Sequence, residues 1–202
     1  MIEGIDIRKN FDGKELFNGL SFRIDDGEFV CFSGESGKGK TTLLNIIGMI
    51  EPLSSGEILF DGAKIRTNKD RLDFFRVKAG FVFQNFALVE GKTVEQNLAF
   101  VRKSSRSGVS IEDALASVGL AGKLKSKVYT LSGGEQQRVS LARLFIKKCD
   151  VILADEPTGS LDSRNAQAVI GILKTLNEQG KTIILVTHDE SVKRVCGRII
   201  EL

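Results

Sequence analysis

The segment Gly34-Glu-Ser-Gly-Lys-Gly-Lys40-Thr41 constrains this chain more than any other. It fits the phosphate-binding pattern G-x-x-x-x-G-K-[S/T] in full. It also stands in the required context, with a short β-rich run (29–33) before it and a helical pattern (40–47) after it. Glycines let successive backbone N–H groups turn inward around an anion, and the helix start adds its partial positive charge. Lys40 is expected to reach the outer phosphates of a nucleotide, and Thr41 to offer its hydroxyl to Mg²⁺. Lys38, a second lysine inside the loop, is expected to point to solvent.

A sheet that could hold such a loop is legible further on. The runs 56–60 and 80–83 read as strands, and 150–154 and 181–187 are near-continuous apolar runs, as in strands buried on both faces. Between the last two, residues 163–179 have helical periodicity, and Gly180 suits the stop. This is a strand–helix–strand unit with parallel strands. Val151-Ile-Leu-Ala-Asp155-Glu156 ends in two carboxylates. Ligands of parallel sheets bind at the carboxyl ends of the strands, which puts these acids beside the glycine loop. Neighbouring strand residues point opposite ways, so two roles are expected. Asp155 is expected to hold the cation, and Glu156 to orient or deprotonate an attacking water.

The middle of the chain is different. From about 85 to 148 no strong strand pattern occurs, and 93–101, 110–118 and 132–147 read as helices. Ser110/Asp113 and Ser132/Glu135 fit the capping-box spacing, and 103–108 reads as a loop. Residues 92–148 carry 11 Lys/Arg against 4 Asp/Glu, whereas the rest carries 18 against 22. The excess fits a solvated helical surface, or a lobe near anionic lipid. With 202 residues, the chain predicts one domain: a core of 1–84 and 149–202 interrupted by a helical subdomain of about 85–148. No apolar run approaches the ~20 residues of a membrane span, and the first ten residues lack a signal-peptide layout. These features predict a soluble, non-secreted chain. Cys31, Cys149 and Cys196 match no metal or redox spacing and read as free thiols.

Leu131-Ser-Gly-Gly-Glu-Gln-Gln-Arg138 adds a second anion-binding helix start in Ser132, Gly133 and Gly134. This stretch resembles the signature motif of ABC ATPases, and the resemblance extends along the whole chain in family order. It implies an α/β fold with a P-loop NTPase core, a mostly parallel sheet, an N-terminal antiparallel β portion and the inserted helical subdomain. It implies a nucleotide contact set of Gly34, Glu35, Ser36, Gly37, Lys38, Gly39, Lys40, Thr41 and Thr42. By the same resemblance Phe11 is the ring that stacks on adenine. Gln84 is the glutamine that touches Mg²⁺ or water and links core to lobe. Ser160-Leu-Asp162 is the loop that crosses the dimer interface, and His188 is the histidine that contacts the γ-phosphate. Ser132, Gly133, Gly134 and Glu135 then face the nucleotide of a second copy.

The implied function is that of an ATP-binding and ATP-hydrolysing subunit. Two copies sandwich two ATP and Mg²⁺ head to tail and power a separate integral membrane permease from the cytoplasmic face. Ala154–Asp162 and Leu43–Gly48 resemble the branch that includes lipoprotein-releasing, macrolide-exporting, antimicrobial-peptide-handling and cell-division ATPases. The chain's brevity points to a minimal member of the bacteriocin-export type, moving a peptide, lipoprotein or drug. An ATP-driven transmembrane regulator, or peptide sensor, without net transport shares every motif. Nucleic acid is not expected as a partner: long heptads and internal repeats, which mark DNA- and ribosome-acting relatives, are missing from this sequence.

Overall fold

The computed structural model describes residues 1–11 and 13–202. Chain order begins with β1 (Ile2–Phe11), β2 (Lys14–Ile24), β3 (Phe29–Ser33), α1 (Lys40–Ile47), β4 (Ser55–Phe60) and β5 (Ala63–Lys64). It continues through α2 (Asn68–Asp73), a π-helical turn (Phe74–Lys78), β6 (Ala79–Val82), α3 (Val94–Leu98), α4 (Ile111–Ser117) and α5 (Gly133–Ile146). It ends with β7 (Val151–Asp155), α6 (Ser163–Glu178), β8 (Thr182–Val186), α7 (Glu190–Lys193) and β9 (Arg198–Glu201).

Two sheets result. A parallel one has the order β6-β7-β8-β3-β9, and an antiparallel one has the order β2-β1-β4-β5. The apolar runs of β7 and β8 are explained by cover on both faces. Val151 and Leu153 face one hydrophobic cluster with Val30, Phe32 and the buried face of α1 (Leu43, Leu44, Ile46, Ile47). Ile152 and Ala154 face another, with Cys31 and residues of α3, α4, α5 and α6. Each fully buried Leu or Ile contributes about 1.5–3 kcal/mol. The antiparallel sheet closes the α1 side, where Phe22 meets Phe32 edge to face at 5.2 Å.

The expected α/β architecture is present, with local corrections. Helix 93–101 is shorter than expected. Thr93 is its N-cap, in a complete capping box with Gln96, and regular helix ends at Leu98. Ser110 accepts the Asp113 N–H, but the Asp113 carboxylate takes the Ser110 hydroxyl instead of its backbone N–H, so that box is half formed. The expected loop 103–108 opens with a 3₁₀ turn. The stretch 68–78 carries helical structure that its sequence pattern did not reveal. Part of the basic excess binds main-chain carbonyls: Arg106, Lys127 and Arg143 donate to carbonyls within 85–148, and Lys147 to that of Ala79 in β6.

Candidate functional site

Because β3, β7 and β8 are parallel neighbours, their carboxyl ends lie along one edge. The glycine loop follows β3 there, Asp155 ends β7 with Glu156 next in the chain, and Thr187 and His188 follow β8. Gly39, in the left-handed region at φ +86, is the N-cap residue of α1. A Cβ on Gly39 would sit 2.6 Å from Leu16 Cγ, so the β1–β2 hairpin packs directly on the loop. Lys40 Nζ donates to the carbonyls of Gly34 (2.8 Å) and Glu35 (2.9 Å), which holds the ammonium inside the loop. Lys38 is exposed, as are Glu35, Ser36 and Gly37, while Thr42 is half-buried at the helix start.

Thr41 Oγ1 donates to Asp155 Oδ1 at 2.9 Å. Burial pushes the Asp155 carboxyl above its ordinary range. The Thr41 hydrogen bond works against that shift, and the charge of Glu156 adds to it. Glu156 does not continue the strand: its φ of +43 is left-handed, strained for a residue with a side chain. Backbone reversal, not strand alternation, separates the two acids. Thr187 donates its hydroxyl to Glu156 Oε2 (3.1 Å), and His188 Nδ1 lies 2.9 Å from Oε1. The Asp189 N–H in turn donates to Thr187 Oγ1 at 3.1 Å, fixing that hydroxyl. Gln84 follows β6 and is exposed. A Cβ on Gly159 would lie 3.7 Å from its Nε2, which puts Gln84 beside the turn after Glu156.

Phe11 ends β1 in the same hairpin that packs on the glycine loop. Its ring is 44% exposed, and Lys9 Nζ lies 4.4 Å from the centroid, so one face is covered and the other is open. Ser132 caps α5 in a complete capping box: Glu135 N–H donates to Ser132 Oγ, and Ser132 N–H to Glu135 Oε2. Lys123 at 2.9 Å and these bonds hold the Glu135 carboxyl below its ordinary range. Ser132 and Gly133 are exposed, and among the described residues their hydrogen bonds do not reach the loop 34–41 of the same chain.

Several supporting residues escaped the sequence reading. Asn165 takes a hydrogen bond from Arg138 (2.7 Å) and donates twice to Asp162, joining α5 to the 160–162 loop. Gly134 has no Cβ because one would stand 2.2 Å from Asn165 Cγ. Buried Gln137 donates to the Pro157 carbonyl at 2.7 Å, just past Glu156. The adjacency of Thr187 to His188 was a usable signal; the others depend on partners remote in sequence.

The ABC transporter family model matches residues 17–159. The chain is 41% identical over 203 residues to a macrolide export ATP-binding/permease protein, MacB, of Campylobacter jejuni, covering 97% of this chain and 32% of that one. It is 39% identical to the pyoverdine export ATP-binding/permease protein PvdT of Pseudomonas putida, covering all of this chain and 33% of that one. It thus spans about a third of the length of these relatives. Among solved structures, the ATP-binding cassette MJ0796, a dimer bound to ADP and Pi, superposes with a TM-score of 0.86 at 35% identity, over 100% of this chain and 94% of that one. With this match to the family model and this identity over nearly its whole length, the chain belongs to the ABC transporter family as an ATP-binding cassette.

Proposed function

We propose that this chain hydrolyses ATP as half of a head-to-tail pair and thereby drives a membrane permease from the cytoplasmic face of the membrane. The observation that carries this reading is the grip on Glu156. Thr187 and His188 hold its two carboxylate oxygens at the edge where Lys40, Thr41 and Asp155 also stand. In this reading Lys40 exchanges its two carbonyl partners for phosphate oxygens, and the 34–39 amides cradle the remaining oxygens. Glu156 accepts the proton of the attacking water, while His188 contacts the γ-phosphate and Gln84 the water. The donor set fits Mg²⁺: a hydroxyl and a carboxylate within hydrogen-bond distance, with the carboxyl destabilised by burial. Few protein ligands are the norm for this ion, which keeps waters and phosphate oxygens. When bound there, Mg²⁺ would neutralise charge on the phosphates.

Exposed Ser132 and Gly133, at a helix start of their own, favour a nucleotide held by a second copy. Phe11 stacks on adenine through its open face, and Asp162 crosses to the other copy. No helix among the described residues is long and apolar enough to cross a membrane, and in this reading the cassette works on a membrane-embedded permease. A groove between the α2–π-turn segment and residues 100–105 suits it. Leu72 and Phe100 are 52% and 58% exposed there, beside Phe75 and Val101, with Arg76 and Arg102 on the rim. The macrolide and pyoverdine exporters among the relatives support export as the work done, and a peptide, lipoprotein or drug is the proposed cargo.

The test is purification from mildly detergent-solubilised membranes of the native cell, with and without Phe100→Asp and Leu72→Asp. A stoichiometric integral membrane protein that the variants lose, with nucleotide affinity intact, is the expected result. Recovery only on ribosomes or DNA would overturn the permease reading and leave the nucleotide chemistry standing.

A further inference from the structure

Two cations, Arg143 in α5 and Lys147 at its C-cap, do something that neither nucleotide binding nor dimer closure requires. Arg143 Nη1 donates to the Ala87 carbonyl at 2.7 Å and Nη2 to the Phe86 carbonyl at 2.5 Å. One turn later, Lys147 Nζ donates to the Ala79 carbonyl. Ala79 opens β6, and Phe86 and Ala87 follow Gln84, so the pair holds the strand and loop that carry Gln84 at both ends. Among the described residues neither cation has a carboxylate partner. Burial alone pushes the Arg143 guanidinium down to about 10 and is the main cause that lowers the Lys147 ammonium.

The loop has a reason to need holding. Phe86 and Ala87 are both left-handed, at φ +61 and +48, a conformation costly for residues with side chains. That geometry aims two successive carbonyls at one planar guanidinium fork, a target that the point charge of lysine cannot match. Between the two anchors the helix lies directly on the strand. A Cβ on Gly80 would stand 2.7 Å from Leu144 Cδ2 and 3.0 Å from Cys149 Sγ. At the other end of α5, a Cβ on Gly133 would be 3.8 Å from Phe86 Cζ, so the same loop also borders the signature residues. Arg143 and Lys147 further line the groove that contains Phe75 and Phe100.

We infer that Arg143 and Lys147 are positioning residues that fasten the Gln84 loop to the signature helix, so that the two shift as one body when the groove is occupied or the pair of cassettes closes. The inference rests on the proposed role of Gln84. Neither cation touches nucleotide; both act through the loop they hold.

A double-mutant cycle with hydrogen exchange tests it on the full chain. In Arg143→Gln, the amides of Phe86 and Ala87, bonded to Phe83 and Asn85 carbonyls, should lose about tenfold or more of their exchange protection. Turnover should fall roughly 10- to 100-fold with KM for ATP unchanged, because a displaced group hurts the reaction more than binding. Lys147→Met should move turnover in the same direction. Added to Gln84→Ala, Arg143→Gln should cost less than about a further twofold, since residues acting as a unit are not additive. Arg143→Lys, which keeps the charge and one donor, should recover part of the protection, and it carries the test if the glutamine variant does not fold. Native protection at Phe86 and Ala87 in these variants overturns the clamp. Lost protection with independent, multiplying losses overturns its link to Gln84. Native turnover in Gln84→Ala overturns the role of Gln84 itself, while the exchange data still decide the clamp.

Discussion

His188 Nδ1 stands 2.9 Å from Glu156 Oε1, and this contact joins the segments that follow two neighbouring parallel strands, β8 and β7. Thr187 takes the other carboxylate oxygen, so the carboxylate cannot rotate without breaking a bond. Glu156→Gln keeps an acceptor for Thr187 but removes the base. Turnover should fall by about 100- to 10,000-fold, the range of general-base catalysis. ATP binding should survive, and the paired form should accumulate with ATP. Phosphate release and light scattering measure the two, and a native rate would remove Glu156 from the chemistry.

Asp155 and Glu135 respond oppositely to pH. The fold favours protonated Asp155, so its ionisation draws on stability as pH rises through its raised value. Asp155→Asn should therefore melt a few degrees higher than native at pH 7.5 without nucleotide, with the gain fading toward pH 4. Mg²⁺-dependent turnover should be lost in the same variant. A lower melting temperature at pH 7.5 would contradict this. Glu135 is held low by Lys123 and the Ser132 amide, so it contributes stability above its unfolded value and loses it as pH falls.

Gly134→Ala pushes a methyl group into Asn165, whose side chain is pinned by Asp162 and Arg138. Urea unfolding should report a loss of about 1–3 kcal/mol, as overpacking typically costs. Asn165→Ala in the same chain should restore much of it, because the clash is with that side chain. Unchanged stability in the single variant would mean that α5 and α6 are free to part.

Lys40→Ala removes an ammonium now shared by two carbonyls. Charge-assisted hydrogen bonds contribute about 1.5–3 kcal/mol each, so replacing two of them at a phosphate predicts ATP affinity weaker by roughly 100-fold or more. Calorimetric titration of ATP and Mg²⁺ measures it, and undiminished affinity would refute the assignment.

What was legible in the sequence was local. The glycine loop announces itself because each glycine answers a backbone demand within eight residues. β7 and β8 announce themselves because cover on both faces leaves polar residues only at one end of each, Asp155 and Thr182. The N-terminal sheet was harder to read residue by residue. β1 breaks its alternation at a left-handed Asp6 (φ +44), with register shifts on both sides, so a period of two does not persist. The π-helical turn at 74–78 follows neither common period. Asn165, Gln137 and Arg143 were invisible for another reason. Gln137 and Arg143 bind the carbonyls of Pro157, Phe86 and Ala87, which any sequence supplies, and Asn165 meets Arg138 and the bare Cα of Gly134 only across a tertiary contact between α5 and α6. The strained backbone at Glu156 was likewise unreadable, since nothing in the acid pair signals where the strand stops.

The parallel sheet divides the apolar interior into two clusters that share no side chain, one holding α1 and the antiparallel sheet, the other α3, α4, α5 and α6. Such a partition makes the molecule modular under mutation. A volume change behind α4 or α5 has to be absorbed on its own side, and the strand backbone insulates the packing beneath the glycine loop. Substitutions that refit the lobe to a different neighbour can therefore accumulate there without reopening the core on which Lys40 and Thr41 depend.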